Sequence, residues 1–300
     1  MSIALQKLPA NLIQRYHVPL CVRLLMSAVV SFFTFTGSAA ADETAVSEPS
    51  QHAATIQRAH TAGGVEFGIW GRLDATRQPT LIVLASTIEE TLSKAYFRQC
   101  GNRLVHDSGW LCVSIDLPSH GAWHQDGEPD GLNGWRRRVE NGEDFVNAFN
   151  QRLSSVLDHL IEHGYSDSKR IAVCGTSRGG FLALHFAAAD RRVHCAAGFA
   201  PVTDLAMLTE FKGIEDNVLT RELSLMKQTD RLSGRSVWIT IGDQDERVST
   251  DSAIGLARRL TAARCRVELH VMPEPRGHTT PQGAPEMAAQ WILAETGNPD

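Results

Sequence analysis

The stretch Ile171-Ala172-Val173-Cys174-Gly175-Thr176-Ser177-Arg178-Gly179-Gly180-Phe181 decides the fold. An apolar run meets Gly-Thr-Ser-Arg-Gly and passes directly into the apolar stretch from Phe181 to Ala189. That order predicts a strand, a sharp turn and a helix. Glycine on both sides of the serine suits a turn where neighbouring backbone comes too close for a Cβ. Such a turn lifts the hydroxyl clear of the sheet edge. It also sets the amide of Arg178 at a helix N-terminus, where partial positive charge stabilises an oxyanion. Ser177 is therefore the candidate nucleophile. The competing reading is an ordinary glycine-rich turn. It is disfavoured because an acid and a histidine follow downstream in the order this arrangement uses.

Outward from this stretch, strand and helix patterns alternate. Val65 to Leu73 alternates like an early antiparallel strand. Thr80 to Ala85, Trp110 to Asp116, Val193 to Ala200 and Ser236 to Ile241 are apolar runs of the kind buried on both faces of a sheet. Arg266 to Met272 reads as the last strand. Helices are expected over Glu89 to Asp107, Phe145 to His163, Ser252 to Ala263 and Pro285 to Glu295, the second with Phe145, Phe149, Leu153, Val156, Leu157, Leu160 and Ile161 on one face. Between them, Pro118 to Asn141 reads as a long irregular loop, and a loop of that length in a compact domain usually carries function. Short helical pieces without a strong strand are expected over 204–235, a candidate small cap. The fold class is α/β, a doubly wound, mostly parallel sheet with helices on both faces.

The N-terminus stands apart. Lys7, Arg15 and Arg23 precede an apolar run from Leu24 to Thr36, then Gly37-Ser38-Ala39-Ala40-Ala41 and Asp42-Glu43. Residues 1–41 read as a secretory signal peptide, with an uncleaved anchor as the alternative, although the run is short for a membrane span. Residues 42–57 read as a flexible linker and 58–300 as the folded domain. Cleavage after Ala41 removes three basic side chains and no acidic one, so 26 Lys+Arg face 34 Asp+Glu and the net charge moves from −5 to −8. That sign argues against nucleic acid or an anionic membrane as partner. The expected location is secreted or periplasmic. Of six cysteines, Cys21 lies in the leader. The other five show no CxxC or His/Cys metal spacing, so buried free thiols are expected, with no disulfide assignable.

His278, in Arg276-Gly277-His278-Thr279 after the last strand, sits where a loop can carry an imidazole to the serine. His270 falls inside the last strand, and His120 is expected to order the long loop. Asp243 and Asp245 both follow the strand ending at Ile241, and the residues alone leave the choice of acid open. Trp123, Trp135, Arg136 and Arg138 on the long loop, with Phe211 beyond it, are candidates for a substrate wall or for packing. Arg178 is suited to bind a substrate carboxylate or to pair with a loop acid.

At these residues the chain resembles the α/β-hydrolase superfamily. The motifs are Gly175 to Gly180, Asp116-Leu117-Pro118-Ser119-His120-Gly121, Gly242-Asp243-Gln244-Asp245-Glu246-Arg247-Val248 and Gly277-His278. Within it the elbow and the Gly-x-x-Asp-x-x-Val spacing look most like the prolyl-oligopeptidase and dienelactone-hydrolase side. The resemblance implies an α/β-hydrolase fold and favours Asp245 as the acid. Relatives often carry His-Gly after the strand that here reads Leu81 to Leu84, whereas this chain has Ala85-Ser86-Thr87-Ile88. The backbone amides of Thr87 and Arg178 are the expected oxyanion donors. The implied activity is a serine hydrolase acting on carboxylic esters without metal or cofactor, its partner a small ester or short peptide. The alternatives are a small-peptide peptidase and a non-catalytic binding protein. A propeller domain usually precedes the hydrolase domain of the peptidases, and the short stretch before the first strand favours the esterase.

Overall fold

β3 (Gln78–Leu84) and β5 (Ser166–Thr176) lie side by side and parallel, with Leu81 opposite Ala172 and Val83 opposite Cys174. Side chains alternate between the two faces of a strand, so continuously apolar runs such as these need cover on both sides. They have it. Ile82, Leu84, Ile171 and Val173 enter one buried cluster, and Leu81, Val83, Ala172 and Cys174 enter another on the opposite face. The computed structural model describes residues 55–73 and 76–297. The expected signal peptide, and all but the last three residues of the expected linker, lie outside them.

Among the described residues eight strands form one sheet in the order β1-β2-β4-β3-β5-β6-β7-β8. The remaining strands are β1 (Gln57–His60), β2 (Glu66–Trp70), β4 (Leu111–Ser114), β6 (Val193–Phe199), β7 (Ser236–Gly242) and β8 (Arg266–Met272). β2 pairs antiparallel with both β1 and β4, and the five remaining pairings are parallel. Helices α5 (Phe145–Glu162), α6 (Arg178–Ala189) and α8 (Thr250–Ala262) cover one face. α1 (Ile88–Ser93), α3 (Gly101–Ser108) and α9 (Ala284–Thr296) cover the other. The short helix α2 (Ala95–Arg98) lies between α1 and α3, and α7 (Val218–Glu222) lies in the segment before β7. Among the described residues no helix is long and apolar enough to cross a membrane.

Three expectations need correction. The single helix over Glu89 to Asp107 is three short ones, α1, α2 and α3. The chain turns at Gln99, whose φ is 48°, and Gly101 lets α3 approach Cys112, where an added Cβ would lie 2.8 Å from its sulfur. β1 was not anticipated, because its mostly exposed sequence QRAH shows no apolar alternation. The loop from Pro118 to Asn141 is not irregular throughout. It holds a 3-10 turn at Gly121–Trp123 and a true helix, α4 (Gly131–Glu140). Glycines at both Gly131 and Gly134 weaken local helix propensity, but packing overrides it. A Cβ on Gly134 would lie 2.3 Å from the Pro129 carbonyl oxygen. Arg138 of α4 is buried, gives two hydrogen bonds to the Glu128 carboxylate and one each to Glu143 and the Trp123 carbonyl.

The five described cysteines are buried and free. Burial pushes the thiols of Cys112, Cys174, Cys195 and Cys265 up from the ordinary range.

His185 on α6 is buried, its Nε2–H donating to the Leu223 carbonyl at 2.9 Å, and burial pushes its imidazole down to about 4. The unfolded chain binds this proton near pH 6.5 and the folded chain only near 4. Stability therefore falls as pH drops from about 6.5 to about 4, by at most about 3 kcal/mol from this group. Chemical denaturation at stepped pH should show that slope, and His185→Gln should flatten it; an unchanged slope would remove His185 as its source.

Candidate active site

β5 ends in Thr176, and Ser177 takes φ 54° and ψ −115° before α6 begins at Arg178. A non-glycine residue seldom occupies this region, and it persists only where the surroundings hold it there. Here Ser177 N–H donates to the Phe199 carbonyl, and the Ser177 carbonyl accepts from Val202 and Phe181. The glycines are needed for clearance. A Cβ on Gly179 would lie 1.9 Å from the Leu84 oxygen, and one on Gly175 would lie 2.2 Å from the Gly179 oxygen.

His278 follows β8 on a short loop. Its Nε2 lies 2.9 Å from Ser177 Oγ and its Nδ1 2.8 Å from Asp245 Oδ2. With Nδ1–H donating to the carboxylate, Nε2 is left to accept from the hydroxyl. Asp245 is buried, and its Oδ1 accepts from the backbone amides of Arg247 and Val248, so the carboxylate is fixed from both oxygens. Asp243 is exposed and accepts instead from Glu274 N–H. Between the two aspartates, the structure brings Asp245 to the imidazole.

The amides of Arg178 and Thr87 have no acceptor among the described residues. Thr87 sits at φ −78° and ψ 161°, extended backbone that needs no glycine, and its Oγ1 caps α1 by accepting from Glu90 N–H. Asp116 steadies the same loop: its Oδ1 accepts from Ile88 N–H at 2.7 Å and its Oδ2 from Ala122 N–H at 2.7 Å. Gln99 was missed by sequence reasoning, because it lies mid-stretch in a segment that reads as plain helix. Its buried Nε2 donates to Thr176 and Thr280, tying the residue before Ser177 to the loop of His278. Tyr96 adds a hydrogen bond from Thr280 N–H to its hydroxyl.

Ser177, Arg178 and His278 open on a cleft of about 480 Å³, lined also by His120, residues 130–133, Glu210 and Arg247. His120 Nδ1–H donates to the Pro118 carbonyl at 2.8 Å, and burial together with the nearby Arg178 charge holds its imidazole below the usual range. None of the side chains expected to form a substrate wall is brought into this cleft, Arg138 being buried on Glu128 as described above. Trp135 is fully buried, with Nε1–H donating to the Pro118 carbonyl and its ring against Phe145 and Phe181. Phe211 is fully buried in the core. Trp123 stacks on Phe149 under the Arg152 guanidinium. Arg136 reaches sideways to the Glu210 and Lys212 carbonyls, bracing α4 against the 204–235 segment. Glu210 and Arg247 line the cleft instead; Arg247 falls inside the 242–248 motif without a role being legible there, and nothing in the local sequence singles out Glu210.

A sequence model described as "Prolyl oligopeptidase family" matches residues 135–293, more than half of the chain. Inactive dipeptidyl peptidase 10 of Mus musculus is 23% identical over 189 residues, covering 59% of this chain and 24% of that protein. The chain thus spans about a quarter of the length of that curated relative. Acetyl xylan esterase 1 from Thermoanaerobacterium sp. JW/SL YS485 superposes with a TM-score of 0.60 at 15% identity, over 81% of this chain and 89% of that one. Pyrococcus horikoshii acylaminoacyl peptidase gives 0.62 at 11% identity, over 82% of this chain and 42% of that one. At such identities the likeness establishes the fold alone, and that fold is the α/β-hydrolase fold.

Because Trp135 packs the floor of the 118–141 segment, Trp135→Ala should cost roughly 3–5 kcal/mol of stability. Thermal unfolding would register it as a clear fall in Tm, with the ranking of substrates unchanged. A shifted ranking at constant Tm would return Trp135 to the substrate wall.

Proposed function

The chain belongs to the prolyl oligopeptidase family, and from that membership we propose that it is a serine hydrolase that cleaves carboxylic esters through an acyl-enzyme on Ser177. The observation that carries this reading is the unbroken hydrogen-bond chain from Ser177 Oγ through His278 to Asp245 at the mouth of the cleft. His278 Nε2 takes the hydroxyl proton as Oγ bonds to the acyl carbon, and the carbonyl oxygen becomes an oxyanion between the Arg178 and Thr87 amides. Collapse breaks the bond to the alcohol, which leaves with the proton from Nε2. Water then repeats the sequence, giving its proton to Nε2 and its oxygen to the acyl carbon, and Ser177 is released. Asp245 stays ionised, holds the imidazole tautomer and stabilises the imidazolium. An oxyanion donor of this kind contributes roughly 3–4 kcal/mol to the transition state.

A second reading is a peptidase cutting next to proline, as the family name suggests. Such specificity calls for an apolar pocket beside the serine. The cleft here is lined by charged and polar groups, and Leu132 is its one apolar side chain among the described residues. That lining favours esters. Export to a secreted or periplasmic location is part of the proposal and rests on the leader at residues 1–41; N-terminal sequencing of exported protein should begin near Asp42, and an intact Met1 there would refute it.

Ser177→Ala should abolish labelling by a fluorophosphonate and lower ester turnover by about four orders of magnitude. Asp245→Asn should lower kcat by roughly ten-thousandfold, while Asp243→Asn stays close to wild type. Turnover of an alkyl ester, followed by titration of released acid beside an aminoacyl anilide, decides between the two readings. Near-normal rates in Ser177→Ala, or anilide cleaved faster than ester, would overturn the esterase assignment.

A further inference from the structure

Glu210, Asp130 and Glu90, acidic side chains in or near the cleft, each already have a basic partner. Glu210 accepts two hydrogen bonds from Arg247, at 2.6 and 2.8 Å. Asp130 lies 3.2 Å from His124 Nε2, and Glu90 accepts from Lys94 at 2.6 Å. The Arg178 guanidinium is different. Its Nε–H donates to the Ala85 carbonyl at 3.2 Å, and among the described residues neither Nη1 nor Nη2 has an acceptor or a carboxylate in ion-pair range. Yet Arg178 is only partly exposed, and burial draws its guanidinium below the usual range. A half-desolvated cation with both terminal nitrogens unused is costly unless something outside the chain satisfies it.

The location specifies what that something is. Arg178 follows the nucleophile directly and lines the same cleft as Ser177 and His278. Its Nε is tied to the end of β3, so the fork is held from one side and its two terminal nitrogens remain for a ligand. An ideal Cβ on Gly131 would come 3.4 Å from Arg178 Nη1 and 3.7 Å from His120 Nε2, so Nη1 faces the start of α4 across the cleft. A guanidinium fork in a pocket matches a carboxylate with two parallel hydrogen bonds.

We propose that Arg178 anchors a carboxylate of the substrate, so that this enzyme acts on esters carrying a free carboxylate elsewhere in the molecule. The proposal deepens the esterase reading and rests on it for the reaction, though not for the binding. The carboxylate belongs either to the acyl part, as in a monoester of a dicarboxylic acid, or to the leaving alcohol.

Two matched pairs separate these sources. Monoethyl adipate against ethyl hexanoate reads the acyl side; 4-acetoxybenzoate against its methyl ester reads the leaving side. Wild type should prefer the charged member of one pair by about 10- to 100-fold in kcat/KM, the range expected of hydrogen bonds between charged groups. Arg178→Gln should bring that ratio to near one whatever its absolute rates, and Arg178→Lys should retain part of it. Calorimetric titration with adipate reads the anchor without turnover: binding in wild type and its loss in Arg178→Gln are expected. Ratios near one in wild type for both pairs, or ratios and adipate binding that survive Arg178→Gln, would overturn the anchor while leaving Ser177 chemistry intact. Adipate binding lost in Arg178→Gln without hydrolysis of any ester would uphold the anchor and sink the esterase reading.

Discussion

The arrangement depends on one close approach, that of Gly179 to the end of β3. With an added Cβ only 1.9 Å from the Leu84 oxygen, no other residue fits there without moving the backbone. That contact seats the first turn of α6 against the strand beside β5. In doing so it sets the amide of Arg178 near the Ala85 to Ile88 turn and holds Ser177 at positive φ. The strain at Ser177 is tolerable because hydrogen bonds to Phe199, Val202 and Phe181 surround it. The Asp116 carboxylate then fixes the turn from the other side through Ile88 and Ala122. The geometry at the serine is thus a property of sheet packing, made before any ligand arrives.

How much of this was legible follows from where the signal was local. Two-sided apolar runs identified the central strands, since burial on both faces leaves no room for alternation. The glycines flanking Ser177 identified the elbow because clearance dictates them. Position after β8 pointed to His278 and the family resemblance favoured Asp245 over Asp243; the structure links Ser177 to Asp245 through His278. What failed was information held in distant partners. α4 is stabilised by Arg138 on Glu128 and by Trp135 under Pro118, contacts that outweigh its glycines and that no local pattern announces. The tryptophans read equally well as wall or as packing, because a large aromatic side chain serves either. Gln99 was invisible for a similar reason: its role exists only through Thr176 and Thr280, far away in sequence.

The cleft wall is assembled differently from its floor. The floor belongs to strand ends and α6, anchored in the core. The wall joins the segment before β7 to α4 through Arg136 on the Glu210 and Lys212 carbonyls, and to the loop after β7 through Arg247 on the Glu210 carboxylate. Charged contacts of this kind are directional and exchangeable, so the wall can vary in composition without disturbing the serine. It also puts charged side chains, Arg178, Glu210 and Arg247, within reach of whatever the cleft selects.

The five buried thiols give the molecule an internal clock. Each is shut away from reagents, and the raised ionisation of four of them suppresses the reactive thiolate even where a small probe penetrates. Cys112, Cys174 and Cys195 sit on β4, β5 and β6 in the middle of the sheet, where exposure requires the strands to part from their cover. The rate at which a thiol reagent consumes them therefore counts openings of the whole sheet, and the native residues report kinetic stability with no label introduced.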